Sequence, residues 1–140
     1  MLLHLILRQL GKRRSTLDAI PLPIPDSVAT VRELLVCVVH ESVAAYNARV
    51  RRGENDLQPM TKETLSGMER VGKLAFGVNY GGRAADEAAA IDTALQGFAD
   101  GLYRVFLGQT ELTALDSPIA LHEGDELTFI RLTMLTGGFF

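Results

Sequence analysis

The chain has one cysteine, Cys37, no tryptophan and three histidines in 140 residues. A lone thiol cannot close an internal disulfide, and without cysteine and histidine clusters a structural zinc site has no ligand set. Basic residues are not in excess: 14 Lys plus Arg stand against 17 Asp plus Glu, a net charge of −3. With no basic block, the electrostatic footprint for nucleic acid or anionic lipid is missing. No apolar run approaches the ~18 to 20 residues of a membrane span. The apolar stretch Met1–Leu10 is broken by His4 and Arg8 and is followed, rather than preceded, by Lys12, Arg13 and Arg14, the reverse of a secretory signal. The expectation is a soluble, cytoplasmic protein that binds neither membrane nor nucleic acid. Hydrophobic residues at 47% and charged residues at 22% suit a chain that folds around one core.

Two periodicities organise it. Leu3, Leu5 and Leu7 alternate with His4, Ile6 and Arg8, which predicts a strand over Leu2–Leu10. After a turn at Gly11–Arg14, Ser15–Ile24 alternates Ile20, Leu22 and Ile24 with Pro21, Pro23 and Pro25. Proline gives no ladder donor, so this strand belongs at a sheet edge. Thr30 and Glu33 have capping-box spacing, and Val31, Leu34, Leu35, Val38, Ala45 and Tyr46 recur at helical intervals, predicting a long helix from Val31 to Arg51. Arg49, Arg51 and Arg52 suit its negative end, and Gly53 its cap.

Residues 54–100 are less regular. Pro59–Val71 is expected to hold a short helix, Lys73–Tyr80 a strand and Gly81-Gly82 a turn. Asp86 then caps a helix with Ile91, Leu95 and Phe98 on one face, stopped at Gly101. Strands return at Leu102–Leu107, Glu111–Leu115 and Pro118–Leu121, and a long last strand, Glu126–Leu135, follows the tight turn Glu123-Gly124-Asp125.

Hairpin, long helix, insertion, short strands and long last strand put the last strand beside the first in mid-sheet, with the proline strand outside and the helix across one face. This is the α+β architecture of the β-grasp: a mixed sheet on one long helix, here a single domain over residues 1–138 with 54–100 inserted. Three segments carry the likeness. They are the opening hairpin with Pro25-Asp26 leading to Thr30, the stretch Tyr103–Leu112, and Glu123–Phe129 running on to Thr136-Gly137-Gly138. In these the chain resembles the ubiquitin-like superfamily, and its end is similar to the sulfur-carrier branch. The likeness spans roughly residues 1–53 and 102–138. The chain departs from the pattern in the length of the insertion, in Met134 and Thr136 where ubiquitin has arginines, and in Phe139 and Phe140 after the diglycine.

The resemblance implies a prokaryotic ubiquitin-like protein modifier precursor, a substrate of other enzymes with no catalytic residue and no cofactor of its own. A processing peptidase would remove Phe139 and Phe140. An adenylating enzyme would activate the Gly138 carboxylate, and a transfer enzyme would pass it through a thiol to an amine on target proteins. Gly137 and Gly138 suit this because two glycines leave the carbonyl unshielded. One alternative is that Gly137-Gly138 ends a strand and the phenylalanines pack on the body or in a partner, as in a non-conjugated interaction module. Another is a sulfur carrier ending in a thiocarboxylate.

The remaining residues read plainly. Cys37, between Val36 and Val38, is expected to be a structural core or near-core thiol. His4, His40 and His122 lack metal-ligand spacing. Glu123, Asp125 and Glu126 suit a solvated turn, and Lys12, Lys62 and Lys73 are ordinary surface lysines. Phe76–Gly82 is glycine-rich but has no phosphate-loop spacing. With Val105, Leu107, Ile130 and Leu132 taken as core, Phe106 and Phe129 are expected on the far sheet face with Ile6, a partner-binding face that the helix of Ile91, Leu95 and Phe98 is expected to cover.

Overall fold

The computed structural model describes residues 1–9, 17–52 and 86–131. The predicted elements at 11–14, 59–71, 73–80 and 81–82, and the stretch beyond Arg131, lie outside them. Among the described residues there are five strands and two helices: β1 (Leu2–Gln9), β2 (Leu17–Pro23), α1 (Val31–Arg52), α2 (Glu87–Ala99), β3 (Tyr103–Leu107), β4 (Thr110–Leu112) and β5 (Glu126–Arg131). The strands form one mixed sheet in the order β2-β1-β5-β3-β4, giving an α+β architecture. β1 and β5 are parallel central neighbours, with Leu5 opposite Leu127 and Leu7 opposite Phe129. All other pairings are antiparallel.

The expected edge position of the proline strand holds. Ile24 N–H donates to Met1 O at 2.8 Å, so the even positions of this run turn their backbone toward β1. Pro21 and Pro23, at the intervening positions, present the outer edge with no N–H, which blocks strand addition. At the opposite edge β4 is only three residues long, another way in which an edge resists pairing.

The core lies between the sheet and α1. Leu3, Leu5, Leu7, Leu127, Phe129, Tyr103 and Val105 meet Val31, Leu34, Leu35, Val38, Ala45 and Tyr46 there, all buried. Ser42, on the same stripe, is fully buried and satisfies its hydroxyl by donating to Val39 O at 2.9 Å, as a buried hydroxyl must.

The start of α1 explains how the helix is fixed. Thr30 Oγ1 accepts from Glu33 N–H at 3.2 Å, while Glu33 Oε1 accepts from Thr30 N–H at 3.2 Å and Ala29 N–H at 2.8 Å, closing the predicted capping box. Two further N–H groups of the first turn, on Val31 and Arg32, donate to Ser117 O and Leu115 O. The expected strand at Pro118–Leu121 is instead a single bridge from Pro118 to Thr30, with Ile119 N–H donating to Ala29 O. These backbone groups are spent on the helix entry, which leaves no strand partner for the segment. The Glu111–Leu115 strand is correspondingly shorter and ends at Leu112, because Leu115 turns to that same task.

α2 is bounded as its sequence predicts. Asp86 accepts from Ala88 and Ala89 N–H. At the other end Gly101 takes φ +76°, with Gly101 N–H donating to Phe98 O and Leu102 N–H to Gly97 O, a paired closure that needs the left-handed backbone glycine permits.

α2 does not cover the far sheet face as expected. It packs on α1 and on β3, on the side of the sheet where Tyr103 lies. The reason is in its small residues: Ala90, Ala94 and Gly97 form the buried stripe, while Ile91, Leu95 and Phe98 flank it half-buried. Tyr103 crosses this stripe. Its hydroxyl donates to Ala94 O at 2.6 Å, its ring stacks at an angle between Phe98 and Phe129, and a Cβ on Gly97 would meet its Cε1 at 3.2 Å. Burial holds the Tyr103 phenol far above its usual range, so it stays a neutral donor.

Candidate partner-binding face

The register sorts the expected face residues. Phe129 lies opposite Leu7 on β1 and Val105 on β3, so all three share the helix-facing side, and Phe129 is fully buried. Its expected place on the far face is therefore corrected. β5 is apolar at alternate positions on both sides, Leu127 and Phe129 against Ile130, so period-two reading alone leaves the choice open. Pairing against Leu5 and Leu7 decides it, and Ile130 takes the far side instead of the core.

Ile6 and Phe106 do lie on the far face, as expected. Both are direct neighbours of Thr128, Ile6 from β1 and Phe106 from β3, and all three are half-buried. Two strand spacings, about 9.6 Å, separate the outer pair across the row. Glu111 of β4 extends the row beyond Phe106. The neighbouring row runs Arg8, Ile130, Arg104, with Ile130 half-buried between two exposed guanidinium groups. Arg104 Nε stands 3.9 Å from Glu111 Oε2, an exposed pair worth little. Among the described residues no carboxylate pairs with Arg8. The third row holds His4 and Glu126. The face is thus apolar at its middle, cationic at the Arg8–Arg104 end and mixed at the other. Neither α1 nor α2 lies on it.

The acidic turn has structural duties. Glu123 Oε1 accepts from Leu2 N–H at 3.1 Å, Asp125 Oδ2 from His122 N–H at 2.8 Å, and Gly124, at φ +84°, donates to Leu2 O. These contacts bind the turn to the start of β1 and set the β1–β5 register. Cys37 is half-buried on α1; burial first, then the charges of Glu41 and Glu33, push its thiol up and keep it protonated. His40 Nδ1 lies 3.0 Å from Glu87 Oε1, joining α1 to the first turn of α2. Among the described residues no three His, Cys, Asp or Glu side chains gather as a metal site would require, and no helix is long and apolar enough to cross a membrane.

Two features were missed in the sequence. Arg32 holds Asp116 through both guanidinium nitrogens, Nε to Oδ1 at 3.0 Å and the terminal nitrogen to Oδ2 at 3.3 Å. Their separation by 84 positions left no local signal. The cross-strand row Arg8–Ile130–Arg104 was equally hidden, because it exists only once the register is known. Gly137, Gly138, Phe139 and Phe140 lie outside the described residues.

Comparison of the chain with protein-family models, with curated proteins and with solved structures returns no match.

Proposed function

We propose that this chain is a β-grasp protein of the ubiquitin-like superfamily and a prokaryotic protein modifier precursor, cut after Gly138 and conjugated through it in the cytoplasm. The observation that carries the reading is the sheet order β2-β1-β5-β3-β4 with β1 and β5 parallel at its centre and α1 across one face. That is the arrangement in which the last strand delivers the carboxyl end of a modifier. Here only residues 132–136 separate the described end of β5 from Gly137-Gly138.

In the proposed chemistry the protein is a substrate. After peptidase cleavage, the Gly138 carboxylate attacks the α-phosphate of ATP on an adenylating enzyme, forming an acyl adenylate and releasing pyrophosphate. A transfer-enzyme thiol displaces AMP, and a target amine displaces the thiol to leave an amide. Side chains at either of the last two positions would crowd each attack.

Gly138→Ala and a chain lacking Gly137 and Gly138 are expected to lose all conjugates in the host while keeping the unfolding midpoint of the parent. Conjugates that persist in both would overturn the reading. A processed species carrying one sulfur in place of a carboxylate oxygen would redirect it to sulfur carriage.

A second reading, a non-conjugated interaction module, is favoured by one feature: the row Ile6–Thr128–Phe106, which both helices leave uncovered. Partly apolar faces of this kind mark docking surfaces in many proteins. The two readings separate on Phe106→Ser, which would abolish the function of a docking module but leave processing after Gly138 intact.

A further inference from the structure

We draw no further inference here: the strongest candidate, the open groove of about 820 Å³ where α2 faces Leu102, Leu115 and Arg131, has a lining of mixed polarity, and nothing in the structure shows what covers it.

Discussion

The two faces of the sheet are cut from the same strands and meet opposite fates. On the inner face Leu5, Leu127, Leu7 and Phe129 stand in two adjacent cross-strand pairs, all fully buried under α1. One residue along each strand, on the outer face, Ile6 and Thr128 are half-buried beside exposed Arg8. The strands themselves do not explain the contrast, since both faces hold large apolar side chains. What differs is the partner. α1 offers a continuous stripe from Val31 to Tyr46, and α2, with its small-residue stripe, takes the side of α1 and Tyr103 rather than the outer face. Apolar residues on a strand are thus sorted by what the helices bring to them, which is why the inner face, and not the outer one, forms the core with α1.

Substitutions on the two faces should separate these roles. Phe129→Ala opens a cavity under α1 and is expected to cost about 3–5 kcal/mol in chemical denaturation. A loss below about 1 kcal/mol would mean that the inner face is not the core. Replacing Gly97 by leucine should push α2 from the Tyr103 ring at a cost of about 1–3 kcal/mol, the usual range for overpacking. Because Tyr103 bridges α2 to Phe129, the damage would show in amide exchange along both α2 and β3. Phe106→Ala on the outer face should cost about 1 kcal/mol, since only about half of the ~1.5–3 kcal/mol gained by full burial is at stake. Equal losses for Phe106→Ala and Phe129→Ala would erase the distinction between the faces. Tyr103→Phe removes one hydrogen bond from a helix carbonyl and is expected to lose about 1 kcal/mol.

The smallest effect concerns acid. Arg32, through its hydrogen bonds and charge, holds the Asp116 carboxyl below its usual value. A folded-state pKa below the unfolded one adds stability above the unfolded value, and that stability fades as pH falls through the folded value. Asp116→Asn should therefore narrow the difference in stability between neutral pH and pH ~3 slightly, the pair being open to solvent. Denaturation midpoints of the two proteins at both pH values check it; a wider difference in the variant would reverse the sign.

Much of this architecture was legible in the residues. The Thr30–Glu33 box, the α1 stripe, Asp86 and Gly101 at the ends of α2, and the prolines of the edge strand all act within a few positions, where local chemistry decides. The errors share one cause. Ile130 against Phe129, the place of α2, and the segment at Pro118 each depended on a partner far along the chain: β1, α1 and the backbone of Ala29 and Thr30. Of the residues expected on the far sheet face, Ile6 and Phe106 were placed correctly because they sit on strands whose other face is unambiguous. Arg8 and Arg104 were not, because what joins them is Ile130, their common neighbour across the sheet.

The intact mass of the protein recovered from its own host tests the central proposal most directly. The expected result is a species ending at Gly138, with higher-mass conjugates that vanish in Gly138→Ala. A chain that runs on through Phe139 and Phe140, with no conjugates, would contradict it.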